Sequence, residues 1–476
     1  MKKNIVYVAI YQILILIVPF LTLPYISRVL KPEGVGIYSF TNSITMYFCL
    51  FCMLGIQLYG RREVAKVRDD KEKLSASFYQ IYSVQIVSSI LSITSYLLFL
   101  LSSEYRIQLL FQLPLILSYA IDISWLYFGL EQVKFTVTRN FVLKIVTLIL
   151  VFLLVKKQSD INVYISINAL GTLLSQLVLW LGLNKFIFSP NQSYFKGFNF
   201  KKQFINSWKL FIPVLSVQLY VIVGKTLLGY FSTSSQVGLF ESADKLTRIP
   251  ITIISAISQI MLPRMTYLYS KKVSNEFENT IKQSFLGTMI FAIGCYFGIF
   301  SVSNSLVPIF LGNDFQSAIV IVRVLAPIIL FISWGNVFRM QYILPKGMDS
   351  LYTNTVLIAC VLNIILNIVL SPLLGALGAA ISSCASEGII CLYQSYYLRK
   401  EFNYGEYFLL IFPYILCGAL MGGIVFLFEV LLGQSVLILI LGVILGIVVY
   451  ISSILIYEKI AKKEFLLKEL RKLCEK

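Results

Sequence analysis

The sequence predicts an all-α polytopic membrane protein with about 14 transmembrane helices: two parallel six-helix repeats around a central cavity, plus two additional C-terminal helices. Three observations predict it: an apolar composition, apolar runs of helix length along the whole chain, and short motifs that recur roughly 200 residues apart.

Apolar side chains make up 58% of the 476 residues, charged ones only 13%, and mean hydropathy is +0.81, outside the soluble range. A spanning helix needs about 20 apolar residues, so fourteen use about 280 and leave no room for a soluble catalytic domain. The chain contains no histidine, which excludes imidazole acid–base chemistry, histidine-bearing triads and histidine metal sites. No metal site or cofactor is expected. The eight cysteines lie almost entirely within apolar runs. Cys49 and Cys52 have the spacing of a redox pair but fall mid-helix, where packing is expected. Lys2 and Lys3 before an apolar run look like a secretory signal, but no small-residue cleavage site follows, so the run reads as a retained first helix.

Apolar runs broken by charged or turn residues place the first six helices at 5–27, 39–60, 79–101, 107–130, 139–155 and 161–183. After a polar stretch come 206–229, 239–264, 284–303, 316–344, 352–371, 377–398, 407–428 and 434–457. Basic residues number 29 in one set of alternate connections and five in the other. By the positive-inside rule both termini and the connection 184–205 are therefore cytoplasmic. The net charge of +17 is thus a topology signal with a secondary role facing anionic lipid headgroups, and no nucleic-acid partner is expected.

The repeat rests on two matches. Val35-Gly36-Ile37-Tyr38 recurs as Val237-Gly238-Leu239-Phe240, and Ile123-Ser124-Trp125 as Ile332-Ser333-Trp334. Each pair lies six helices apart, which suggests halves of equal orientation that alternately open a cavity to either face. The domains expected are a lobe at 1–205 with its cytoplasmic linker, a lobe at 206–400, two further helices within 401–457, and a basic amphipathic tail at 458–476 lying on the inner leaflet.

Several segments carry a resemblance: PYISRVL at 24–30 with GVGIYSFTNSI at 34–44, LGIQLYGRREVAKVR at 54–68, DISWLYFGLEQVK at 122–134 and QVGLFESADKLTRIP at 236–250. They resemble the Wzx-type polysaccharide repeat-unit flippases of the MOP exporter superfamily, polysaccharide-synthesis branch. The resemblance implies a non-enzymatic transporter in the bacterial plasma membrane. It would move undecaprenyl-pyrophosphate-linked oligosaccharide from inner to outer leaflet by alternating access, for capsule or O-antigen synthesis. It also implies membrane lipid and other polysaccharide assembly proteins as partners.

Such a cargo carries roughly two negative charges and a hydrated glycan, so fixed cations within the membrane become candidates for binding it. Arg248 lies about nine residues into the eighth helix, roughly 13 Å deep, with Pro250 just beyond, where a break or kink is expected. A guanidinium suits phosphate. The alternative is a structural pair with Glu387 of the twelfth helix. Arg323 is a second candidate for the same headgroup. Lys225 and Arg28 lie nearer helix ends, where long cations also snorkel to water. Asp244 and Lys245 are expected to hold each other's charge. Asp122, two thirds through the fourth helix, either couples transport to H⁺ or Na⁺ or is a buried structural acid. Glu387 is the other ion-coupling candidate. The basic cluster Arg61, Arg62, Lys66 and Arg68 either collects substrate or enforces topology.

Three other readings compete. A lipid II flippase and a multidrug antiporter share the superfamily fold. A membrane polysaccharide polymerase would need a sizeable outer loop, whereas every outer connection here is about 15 residues or shorter.

Overall fold

A computed structural model describes the backbone of residues 2–461 except Gly197 and Lys272; most of the expected amphipathic tail lies outside them. Among the described residues the structure is helical and contains no strand. Thirteen stretches are long and apolar enough to cross a membrane, and the first, Phe20–Val67, is 48 residues long. The expected fourteen spans appear when the two arms of α1 are counted separately.

That long helix, α1 (Lys2–Met53), breaks at Lys31, whose φ is 58°. Pro32 follows, and its ring denies the residue before it the ordinary helical conformation. The two helices expected at 5–27 and 39–60 therefore meet at one strained residue without a loop. A second break at Gly55 (φ 76°) starts α2 (Ile56–Val67). Next come α3 (Lys71–Ser102), α4 (Arg106–Ala120), the single-turn α5 (Ser124–Gly129), α6 (Val133–Leu154), α7 (Ile161–Leu181) and α8 (Phe200–Phe231). Asp70 caps α3 by accepting from the backbone amides of Glu72 and Lys73. The Lys73 contacts hold its carboxyl below the usual range.

The chain then forms α9 (Ser234–Ser270), α10 (Ser274–Leu311), α11 (Ala318–Leu325), α12 (Ile328–Phe338), α13 (Asp349–Leu374), α14 (Ala376–Tyr397), α15 (Tyr404–Leu432) and α16 (Val436–Ile460). Two compact units result, Met1–Gly238 and Leu239–Lys476. The seventh span, α8, falls in the first unit, beyond the linker expected to end at 205.

In the first unit, serines of α3 bind the second arm of α1: Ser88 and Ser92 donate to the carbonyls of Cys52 and Phe48, each at 2.7 Å. Cys49 and Cys52 are both fully buried free thiols, in keeping with packing. The core gathers on Phe78, Trp125, Tyr127 and Trp180, with Phe78 stacked on Trp125 at 5.4 Å. The connection 184–205 is pinned to α3: Gln80 donates to the Tyr194 carbonyl at 2.7 Å, and Tyr79 stacks on Tyr194.

In the second unit Phe285 meets Trp334 edge-on at 4.8 Å, within a core that also holds Phe338, Phe402 and Tyr407. Phe78–Trp125 and Phe285–Trp334 join corresponding spans, the third to the fourth and the ninth to the tenth. The Ile-Ser-Trp repeat therefore marks the same packing joint in each unit. Helices α15 and α16 pack on α10, so the two helices outside the repeat belong to the second unit.

Gly36 requires its lack of a side chain. Within the first unit the second arm of α1 crosses the start of α9, and a Cβ on Gly36 would stand 1.6 Å from the Ser234 carbonyl oxygen. One on Gly238 would stand 1.8 Å from that of Pro32. Backbone cannot yield as a side-chain tip does, so Gly36→Ala should cost about 3 kcal/mol or more, the upper end of overpacking penalties. Gly298→Ala in α10, where an added Cβ meets nothing within 4 Å, should instead gain up to about 1 kcal/mol of helix propensity. Melting temperatures of the detergent-solubilised variants check both. An unchanged Gly36→Ala melt would refute the crossing.

Candidate functional site

The fourth span is interrupted between α4 and α5, and Asp122 sits in the gap. A broken helix at membrane depth frees backbone groups that lipid cannot satisfy. Here the protein satisfies them. Asp122 Oδ1 accepts from the Ser124 amide at 2.7 Å and Oδ2 from Gln57 Nε2 at 3.2 Å. Gln85, fully buried in α3, donates to the carbonyls of Tyr119, Ala120 and Asp122 at 2.9–3.2 Å. Its Oε1 accepts from the Trp125 indole at 3.1 Å, while the Trp180 indole donates to the Ile121 carbonyl at 2.8 Å. Asp122 thus caps a short helix inside a polar knot. Gln85 was missed in the sequence, although a glutamine in the run IYSVQIVSSI was its visible signal.

The basic cluster near 61–68 packs beneath the same short helix. Gly60 abuts Trp125, Arg61 lies 4.3 Å from the Phe128 ring centroid, and Arg68 pairs with Glu131 at 2.7 Å on the surface. Arg28 is exposed one turn before the Lys31 break, and Lys225 is half-buried in α8. Its neighbour Thr226 bonds Tyr47 at 3.1 Å.

Helix α9 runs through Pro250 and Pro263 without interruption, so of the break or kink expected at Pro250 the break is absent. Its charges pair one turn apart instead of between neighbours. Arg248 Nε donates to Asp244 Oδ1 and Oδ2 at 2.7 and 2.9 Å, and Lys245 meets Glu241 at 3.0 Å. The sequence pairs Asp244 with Lys245; the structure shows two i,i+4 pairs on this helix. Arg248 thus has an intrahelical acid partner in Asp244, while Glu387, the partner the sequence offered, is buried in α14. In both pairs the acid is buried and the cation about one third exposed.

Farther along α9, a groove of about 370 Å³ opens against α10. It is lined by Arg264, Thr280, Gln283, Ser284 and Thr288 among apolar residues. The Gln341 amide donates to Ser284 Oγ at 2.6 Å, holding one wall. None of these residues stood out in the sequence, because single hydroxyls on an apolar helix read as packing. Below the groove, Glu401 accepts from Tyr342 at 2.7 Å with Lys346 at 3.5 Å. The tyrosine hydroxyl, then the lysine, hold that carboxyl below its ordinary range.

Arg323 is held at the junction of α10, α11 and α15. Its Nε donates to Ser303 Oγ at 2.8 Å, and its guanidinium lies 5.4 Å from the Phe300 ring and 6.0 Å from that of Phe426. Among the described residues no group of three or more candidate ligands could hold a metal ion.

Long apolar helices, a mid-span break sealed by polar side chains and paired charges on one membrane-length helix define a multi-pass membrane transporter. The chain belongs to the polysaccharide biosynthesis protein family, whose model matches residues 1–269. It is 24% identical over 419 residues to the "Putative O-antigen transporter" of Escherichia coli (strain K12), covering 84% of this chain and 97% of that one. In fold it is similar to the lipid II flippase MurJ in an inward closed conformation, with TM-score 0.63, 15% identity and coverage of 93% and 99%. It is similar in the same way to an inward-facing multidrug resistance MATE family transporter of the MOP superfamily, with TM-score 0.62, 13% identity and coverage of 83% and 98%.

If Gln85 and Asp122 serve the helix break, Gln85→Leu should destabilise more than Asp122→Asn. The leucine strands three carbonyls and an indole N–H, at about 1–3 kcal/mol for a buried group left unmade. Asparagine keeps an acceptor for the Ser124 amide. Thermal unfolding in detergent would reveal the order, and a larger loss for Asp122→Asn would show that the carboxylate charge itself matters.

Proposed function

We propose that the protein is a flippase for undecaprenyl-pyrophosphate-linked oligosaccharide repeat units, carrying them from the inner to the outer leaflet of the bacterial plasma membrane by alternating access. The observation that carries this reading is the α9–α10 groove. At 1.5 Å per residue, Ile254–Arg264 lie roughly 30–45 Å from the first turn of α9, at inner-leaflet headgroup depth if α9 starts at the outer surface. The basic residues support that orientation: 29 against five in alternate connections favour cytoplasmic termini.

An arginine with nearby hydroxyls and an amide matches a pyrophosphate followed by sugar hydroxyls. Arg248 lies about four turns along the same helix toward the outer face and receives the headgroup next. The isoprenoid tail stays in hydrocarbon. Arg28 and Lys225 serve as accessory cations, and Asp122 and Glu387 act through structure. Other polysaccharide assembly proteins would take up the product. The fold likeness serves lipid II and drug transport equally well. The paired cations of α9 and the family membership favour the polysaccharide precursor.

The test is flux of a defined undecaprenyl-pyrophosphate-linked oligosaccharide in proteoliposomes. Arg264→Ala and Arg248→Ala, at matched protein level, should each lower flux about tenfold or more, the cost of losing a charge-assisted hydrogen bond. Lysine should restore part, because charge survives while the planar fork does not. Wild-type flux in both alanine variants would remove this cationic path.

A further inference from the structure

Helix α15 lies outside the six-helix repeat, yet it buries an acid. Gly418 and Gly422 let it approach α10 closely, at Phe297 and Ser301. The same face continues two turns on to Glu429, which is 3% exposed. Both Glu429 carboxylate oxygens are buried without a hydrogen-bond partner. Ser305 of α10 faces the carboxyl but does not close to hydrogen-bond geometry, and its hydroxyl is likewise buried and unpartnered. Arg323 is the charged group within electrostatic reach, and its Nη2 is also buried and unpartnered. Among the described residues, one donor nitrogen, one hydroxyl and two carboxylate oxygens thus converge unsatisfied on a single junction.

Native interiors leave few such groups, and each asks for an occupant or a change of state. Three occupants can be weighed. A phosphate is excluded by the adjacent acid and by the enclosure of the site. A sodium ion wants several oxygen ligands and is repelled by a guanidinium already in place. A proton needs neither: added to the carboxylate it gives a neutral acid whose O–H can donate to Ser305. Arg323 is held by Ser303, Phe300 and Phe426, so it can pair with the carboxylate once the proton leaves.

Position supports this. Ser305 is six residues from the end of α10, Arg323 five from the start of α11, and Glu429 three from the end of α15. All three are therefore about 5–9 Å from the helix ends that face outward in the proposed topology.

We infer that Glu429, with Arg323 as its charge partner and Ser305 as its hydrogen-bond partner, is the proton-binding site that couples this transporter to a transmembrane pH gradient. One proton from the outer solution neutralises the carboxylate, and the same proton is released toward the cytoplasm each cycle. No covalent bond of the cargo is made or broken. The inference rests on the transporter reading above for its role, but not for the existence of the titrating site.

The experiment therefore has two arms, both on the full chain in proteoliposomes. In the first, pH-difference infrared spectra without cargo should show a buried carboxylic-acid band. The band should vanish in Glu429→Gln and titrate at a different pH in Arg323→Gln. Glu429→Asp should retain a displaced band and guards against misfolding of the glutamine variant. An unchanged band in Glu429→Gln overturns the site.

In the second arm, flux of an undecaprenyl-pyrophosphate-linked fluorescent disaccharide is measured with and without an imposed pH gradient, and with a sodium gradient at equal pH. Wild type should be accelerated several-fold by the pH gradient, and Glu429→Gln should lose that acceleration. Retained acceleration in Glu429→Gln, or acceleration by sodium alone, overturns the coupling role. Absence of flux in wild type, with the infrared band intact, would fail the cargo assignment and leave the proton site standing.

Discussion

Everything in this structure depends on one constraint: hydrocarbon offers no hydrogen bonds, so each polar group at membrane depth must be satisfied by protein or be available for function. The break between α4 and α5 shows the first outcome. Gln85 spends its whole carboxamide on three carbonyls and an indole, and Trp180 takes a fourth carbonyl. Tyr96 and Tyr127 likewise spend their hydroxyls on the carbonyls of Leu109 and Leu179. The junction of Glu429, Arg323 and Ser305 shows the second outcome, and the contrast separates scaffold from candidate machinery where residue type alone does not.

The same constraint explains why the two units resemble one another. A span that must break can do so only where a neighbour reseals it, and the first unit places Trp125 and Trp180 at its gap. The tenth span has only a two-residue irregularity at Ala326 and Pro327, both with helical φ and ψ, about one turn earlier than the Asp122 gap when the Ile-Ser-Trp motifs are aligned. Proline lacks the amide that would need a partner, so that unit requires no counterpart of Asp122 or Gln85, and Phe331 stands at the position equivalent to Asp122. One lobe opens its helix and seals the gap with polar chemistry, while the other carries a near-helical backbone through a proline.

Much of the fold was legible because span length and charge asymmetry are properties of composition. The fourteen apolar segments and the Ile-Ser-Trp joint were visible for that reason. The junction of the first two helices was not, since Lys31 adopts a left-handed conformation that residue type disfavours. The site was read less completely. Glu429 falls one residue beyond the span expected at 407–428, where an acid looks like the edge of solvent. Only the approach of Gly418 and Gly422 to α10 reveals that it is buried. The Asp244–Arg248 pairing is legible from the i,i+4 rule, whereas membrane depth alone points equally to Glu387.

The ion pairs of α9 combine two requirements that conflict in a transporter. Free cations deep in a membrane are costly, yet an anionic headgroup needs cations. Glu241–Lys245 and Asp244–Arg248 keep this stretch of the helix neutral at rest, with the carboxylates buried and the cations about one third exposed. Pairs of this kind contribute only about 0.3–0.5 kcal/mol when solvated. In the proposed cargo path, a pyrophosphate with roughly two charges would therefore outcompete a single side-chain carboxylate for the same guanidinium, and the carboxylate would recapture it on release. A helix arranged this way attracts an anion without trapping it, which is the balance that turnover demands.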